Sequence, residues 1–232
     1  MKQRRARFQW LFSLVVCALL VAGCGGRQQA VLDAPMVAQQ AATAMAQVQT
    51  LHFVVELSGR LTYVDTTATL GLKFAEGDVA TPDRVRAKLR TTTYGVINEW
   101  GVVGIGLDQW VTNPLNGRWQ RLPPAWGQFN LAALFDPKAG IANLLRTATW
   151  TAGDAQTFSL RATLDGSTLQ VMTSGMITQG RVDAELVLDP ATQRVVRATL
   201  VERDSSADKP TTWQIALSQF DASITIAPPP EG

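Results

Sequence analysis

Few side chains in this sequence are equipped for covalent chemistry. It contains one histidine, His52, and two cysteines, Cys17 and Cys24. A zinc or copper site draws on about four nitrogen, sulfur or carboxylate donors at short spacings, and His52 has no second histidine or cysteine near it. No metal site is expected. A serine triad would have to recruit His52 from the start of a strand, and the chain has no Gly-x-Ser-x-Gly elbow. Gly104-Ile105-Gly106 lacks the third glycine and the strand-helix-strand context of a dinucleotide fingerprint. Asp136 and Asp154 could form a carboxylate pair only by a coincidence of folding, and turn chemistry explains both. No catalytic residues and no cofactor are expected, so the chain reads as a protein that is not an enzyme.

One motif does carry chemistry. Leu20-Val21-Ala22-Gly23-Cys24 has the form of a bacterial lipobox, in which the thiol receives a diacylglycerol through a thioether and becomes the mature N-terminus. Upstream, Lys2, Arg4, Arg5 and Arg7 precede an apolar run from Trp10 to Ala22. That run is shorter than the roughly 20 residues a spanning helix needs, and the whole has the build of an export signal. The competing reading is a short membrane anchor with a chance cysteine at its end. Residues 1–23 are expected to be a lipoprotein signal peptide, 24–32 an acylated tether, 33–227 a single domain and 228–232 a tail. The expected location is the cell membrane, lipid-anchored on the extracytoplasmic side.

Removing residues 1–23 takes away four basic residues and no acidic ones, so the formal charge falls from +2 to −2. Nucleic-acid-binding domains carry a clear basic excess, and no nucleic-acid partner is expected. Cys17 leaves with the leader and Cys24 is consumed by acylation. The mature chain then has no disulfide, although export takes it where disulfides persist, and burial has to stabilise it.

The elements that position the remaining side chains follow from periodicity. Asp33 as N-cap and Pro35 in the first turn open a helix over 34–50, whose apolar face is Val37, Ala41, Met45 and Val48. The period then changes to two. Phe53, Val55 and Leu57 share one face, and Leu70, Leu72 and Phe74 repeat the alternation. Arg84, Arg86, Lys88 and Arg90 lie opposite Val85, Ala87 and Leu89, which is the clean alternation of an antiparallel sheet with one wet face. Further strands are expected over 96–105, 109–112, 181–188, 195–203 and 212–219. Two short helices are expected at 129–135 and 138–148. Phe158, Leu160, Ala162 and Leu164 lead to an Asp165-Gly166 hairpin turn, with Leu169 and Val171 on the returning strand. The fold class is α+β, with about ten antiparallel strands in a curved sheet and helices on one face.

Three stretches carry a family resemblance. Ala75 to Lys88 places Gly77-Asp78 at a strand end and Pro82-Asp83 before a basic strand. Phe135 to Leu145 contains Asp136-Pro137 and then Gly140-Ile141 before Asn143, and Trp213 to Ile226 ends just before a proline. In order and spacing these resemble the LppX/LprA/LprF/LprG lipoprotein family. The resemblance implies a LolA/LolB-like half-barrel, a strongly curved antiparallel sheet with helices packed on its concave face, enclosing an apolar cavity. It implies binding of lipid or glycolipid acyl chains, carriage of them through the cell envelope, and an export transporter or acceptor protein as a further partner. The membrane would be met through acylated Cys24. Candidate cavity residues are Val55, Leu57, Leu70, Leu72, Val85, Leu89, Ile105, Leu134, Ile141, Leu145, Val171 and Ile215. The same residues could instead pack a solid core, which would make the protein a surface lipoprotein acting as an interaction or sensing module. The stripe from Arg84 to Arg90 reads either as a solvated strand face or as an attractor of anionic head groups.

Overall fold

The structure, a computed structural model, describes residues 33–65, 67–122, 133–134, 136, 138–154 and 157–230. The expected leader, Cys24, its tether and most of the expected helix at 129–135 lie outside the described residues. Residues Leu32–Gly232 form one compact unit.

Among the described residues, twelve strands form one curved, unclosed antiparallel sheet. They are β1 (Thr50–Ser58), β2 (Thr62–Tyr63), β3 (Gly71–Ala80), β4 (Arg84–Thr93), β5 (Val96–Ile105), β6 (Asp108–Thr112), β7 (Trp119–Arg121), β8 (Thr151–Ala152), β9 (Ser159–Asp165), β10 (Arg181–Leu188), β11 (Val195–Glu202) and β12 (Thr211–Ser218). The spatial order is β7-β6-β5-β4-β3-β1-β12-β11-β10-β9-β8, with β2 paired to β3. Two meanders are therefore joined where the first and last strands meet. Phe53 lies opposite Leu217, and Val55 opposite Ile215. The two outer strands, β7 and β8, follow one another in the chain, so residues 122–150 must pass from one edge of the sheet to the other.

Alternation sorts the side chains as the periodicity predicts. Leu89, Ala75, Val55, Ile215, Ala198, Leu186 and Leu160 stand side by side across seven strands on the inner face. On β4 the inner residues Val85, Ala87 and Leu89 are buried and the four basic ones are exposed. Helix α1 (Ala34–Ala46) starts on the expected cap, with the Asp33 carboxylate accepting from the Met36 amide at 3.2 Å. Its buried face is built of Ala34, Val37, Ala38, Ala41, Ala42 and Met45. Small residues there allow the close packing seen against helix α2 (Ile141–Thr147). Residues of both helices belong to the same apolar core as the inner face of the sheet.

Three expectations are corrected. Helix α1 ends at Ala46 rather than at residue 50, because Thr50 is already paired with Ala80 in the sheet. The alternation Leu70, Leu72, Phe74 is broken by a bulge between Leu72 and Phe74. Leu72 points inward, while Phe74 turns out beneath the Arg90 guanidinium, 4.6 Å from the ring centre. Asp165-Gly166 is not a hairpin turn. The Asp165 carboxylate caps the Ser167 amide at 2.9 Å and opens a 3-10 turn over Gly166–Leu169, so the next strand begins only at Arg181. Gly166 is required there by close approach, since a Cβ would come within 2.4 Å of the Gln179 carbonyl oxygen.

Finally, the closing strand stops at Ser218, and the chain beyond it runs as a strap over the outer face. Ile226 is buried against Val103 and Trp110, and Arg84 donates to its carbonyl at 2.9 Å. Ile226→Ala should destabilise the domain by about 2–5 kcal/mol, read as a lower urea midpoint. An unchanged midpoint would mean that the strap is not part of the cooperative fold.

Candidate functional site

The inner face carries an apolar cleft. Its floor is Phe53 and Val55 of β1, Val79 of β3, and inward residues of β10, β11 and β12: Leu186, Ala198, Leu200, Trp213, Ile215 and Leu217. Its cover is Leu134, then Ile141 and Leu144 of α2, and then Leu169, Met172, Thr173 and Met176 from the irregular stretch after β9. Thr173 supplies the one hydroxyl in this lining, and that hydroxyl is used locally. It donates to the Leu169 carbonyl at 2.8 Å and accepts from the Ile177 amide at 3.0 Å. Among the described lining residues the other polar group is the indole nitrogen of Trp213, and it too is engaged, donating to Glu202 at 2.7 Å. The cavity volume is about 80 Å³.

Of the residues proposed from sequence, Val55, Leu134, Ile141 and Ile215 line this cleft. Leu57, Leu72, Val85, Leu89 and Leu145 are buried in the surrounding core without lining it. Ile105 packs against the separate outer-face cluster, because it stands opposite Arg84 on the wet side of β4. Leu70 lies half-buried in the β2–β3 loop, its amide held by Asp65 at 2.7 Å. Val171 is 49% exposed, since the strand expected to carry it inward is instead a series of turns. Periodicity could have added Phe53, Ala198, Leu200, Trp213 and Leu217. Met172 and Met176 had no periodic signal.

The other candidates have structural roles. His52 sits on β1 in mid-sheet, with Nδ1 2.9 Å from Asp78 and Nε2 3.5 Å from Glu76. Asp136 accepts from the amides of Lys138 and Ala139 at 2.7 and 2.8 Å, as a turn residue does. Among the described residues there is no cluster of potential metal ligands and no helix long and apolar enough to cross a membrane. The basic stripe is largely engaged. Arg84 holds Ile226, Arg86 is 3.5 Å from Asp78, and Arg90 is 3.6 Å from Glu99.

A model of the LppX_LprAFG lipoprotein family matches residues 33–226. The chain belongs to this family. Its fold is similar to that of LprF from Mycobacterium bovis, with a TM-score of 0.63 at 17% identity over 86% of this chain and 98% of that one. It is also similar to LppX from Mycobacterium tuberculosis, with a TM-score of 0.52 at 15% identity over 84% and 98%. A LolA superfamily protein from Nitrosomonas europaea aligns at a TM-score of 0.32 and 10% identity over 85% and 94%. No curated protein matches by sequence. The resemblance drawn from the Gly-Asp, Asp-Pro and closing-strand stretches thus identifies the family, and in this chain β1, β3, β10, β11 and β12 lie under the cleft.

Beside Trp213 the cleft meets a charged group. Burial pushes the Glu202 carboxyl above the usual glutamate range, against the opposing effects of the Trp213 hydrogen bond and the Arg60 charge. The folded protein therefore holds this proton more tightly than the unfolded chain does. Stability falls as pH rises from the unfolded value through the raised folded one, and is level above it. Glu202→Gln keeps an acceptor for the indole and removes the charge. It should be more stable than the parent at about pH 7 and lose that advantage toward about pH 4, as measured by urea denaturation. Destabilisation at about pH 7 that shrinks toward about pH 4 would show that the ionised carboxylate is the form the fold prefers.

Proposed function

We propose that this LppX_LprAFG lipoprotein, anchored on the extracytoplasmic side of the membrane through acylated Cys24, binds acyl chains of a lipid or glycolipid in the inner-face cleft. It carries them within or across the cell envelope and catalyses no reaction. One observation carries this reading: the cleft is lined almost entirely by apolar side chains on the inner face of a family half-barrel. Each methylene moved from water into such a site contributes about 0.8 kcal/mol. A carrier needs no more chemistry than that.

The size of the cleft favours a second reading. At about 80 Å³ it is well below the roughly 300–1,000 Å³ of small-molecule sites. A domain whose core stays this full would be a surface lipoprotein acting through a protein partner. The carrier reading requires the cover to move off the sheet. The composition of the cover suits that motion. Met172 and Met176 are unbranched and adapt to new packing, α2 has only seven residues, and the stretch 169–176 is built of turns closed by local hydrogen bonds such as Thr173 to Leu169 and Gly175 to Gln170.

The test is native mass spectrometry and organic extraction of the mature chain from residue 24 with Cys24→Ser. A co-purifying lipid is expected, as is a higher Tm when lipid is added back. Ala198→Phe places a ring on the cleft floor. It should cut lipid binding by at least about tenfold while costing no more than about 1–3 kcal/mol of stability. Lipid-free protein indifferent to every added lipid would instead support the filled-core module.

A further inference from the structure

We propose that the tip of the β4–β5 hairpin, formed by Tyr94, Val96 and Ile97, is the element by which the domain touches a lipid bilayer. Thr93-Tyr94-Gly95-Val96 closes the hairpin with a two-residue loop, and both central residues have positive φ, 48° at Tyr94 and 85° at Gly95. That is type I′ geometry, and its first central position normally takes Asn, Asp or Gly. A bulky side chain is strained in the left-handed region. Tyrosine gains no packing in return, since it is 96% exposed, and its neighbours Val96 and Ile97 are 62% and 71% exposed. Strain held at an exposed site without compensating contacts points to a role outside the folded domain.

The chemistry of the tip selects the occupant. No charged residue lies between Thr91 and Asn98, and the flanking Arg90 and Glu99 pair with one another at 3.6 Å. The tip is a convex knob with one aromatic and two β-branched side chains. Tyrosine is favoured at the headgroup level and aliphatic side chains just below it, so a bilayer accepts such a knob without a preformed pocket. The proposed anchor holds the domain beside that bilayer. Eight residues, 25–32, separate the proposed anchor Cys24 from the Asp33 cap, a reach of at most about 30 Å. This argument rests on the anchoring part of the proposed function.

The location adds a consequence. Ile97 stands opposite Thr92, Thr92 opposite Gly71, and Gly71 opposite Tyr63. Tyr63 lines a polar pocket with Arg60 and Glu202, and Met176 lines both that pocket and the apolar cleft. Seating the tip in a membrane therefore turns the polar pocket, and the end of the cleft beside it, toward the lipid.

The experiment uses the mature chain with Cys24→Ser, so that binding is not dominated by the acyl anchor and no thiol remains. An environment-sensitive fluorophore is placed at Tyr94→Cys or, as a control at the opposite end of the sheet, at Ala191→Cys in the exposed β10–β11 turn. With phosphatidylcholine vesicles the label at 94 should shift to the blue and be quenched by a lipid-borne nitroxide, while the label at 191 stays unchanged. Tyr94→Asn creates the preferred Asn-Gly turn. It should raise Tm by about 2–4 °C and weaken vesicle binding by about tenfold. A label at 94 that stays in water, or Tyr94→Asn bound as tightly as the parent, overturns the proposal. So does binding that needs anionic vesicles and vanishes at about 1 M salt, which would assign the contact to the basic stripe. Co-purified lipid reads out the cargo separately, so the two proposals fail independently.

Discussion

The pairing of β1 with β12 is the constraint on which the remaining structure depends. It joins segments 160 positions apart, as at Val55 and Ile215. Contacts outside the ladder hold the same junction: Asp221 accepts from the Gln49 amide at 2.9 Å and its own amide donates to the Thr50 carbonyl at 2.8 Å, while the Thr50 hydroxyl donates to the Ala222 carbonyl at 2.6 Å. Arg194 pairs with the Asp221 carboxylate from the β10–β11 turn. The hydrogen bond from the Gln49 amide first, and then the Arg194 contact, hold the Asp221 carboxyl below its ordinary range, although partial burial opposes them. Because chain ends meet in mid-sheet, the sheet edges come from mid-chain. The segment between β7 and β8 then has to cross from edge to edge, and α2 within it supplies part of the cover of the cleft. The cleft follows from the topology.

The two faces of the sheet are put to different uses. The inner face combines large residues with small ones, Ala75, Ala184 and Ala198 among them, so that helices and cover can approach. The outer face is a network of ion pairs, including Arg161–Glu185 at 2.9 Å and Arg181–Asp204 at 3.3 Å. Exposed pairs of this kind contribute little to stability. The outer apolar cluster of Val103, Trp110 and Ile226 is the exception. There the strap covers strands that would otherwise present apolar surface to water.

Much of this fold was legible in the sequence because alternation is a local signal that survives wherever one face is wet. The stretch Arg84 to Arg90 displays it without a break, and the structure follows it residue for residue. The failures arise where a single side chain or a non-local contact decides. The bulge at Lys73 shifts the register of the residues beyond it. The Asp165 carboxylate converts an apparent hairpin turn into a capped 3-10 turn, and Val171 goes to the surface with it. Ile226 lies beyond the last strand with no periodicity to mark it, and is buried by packing from across the sheet. The cleft was legible only at four of its lining residues, for the same reason. Val55 and Ile215 lie on clean strands, and Leu134 and Ile141 on an apolar run. Met172 and Met176 have no periodicity to mark them.

The central claim is that acyl chains enter the space between the inner face and its cover. The indole of Trp213 lies in that space, and those of Trp110 and Trp119 belong to the outer cluster. The direct measurement is the indole N–H spectrum of the mature protein, titrated with a fatty-acyl chain carrying a nitroxide along its length. The account predicts that the Trp213 resonance broadens at low ligand ratios while those of Trp110 and Trp119 stay sharp. A Trp213 signal that persists, or broadening shared by all three, would contradict it.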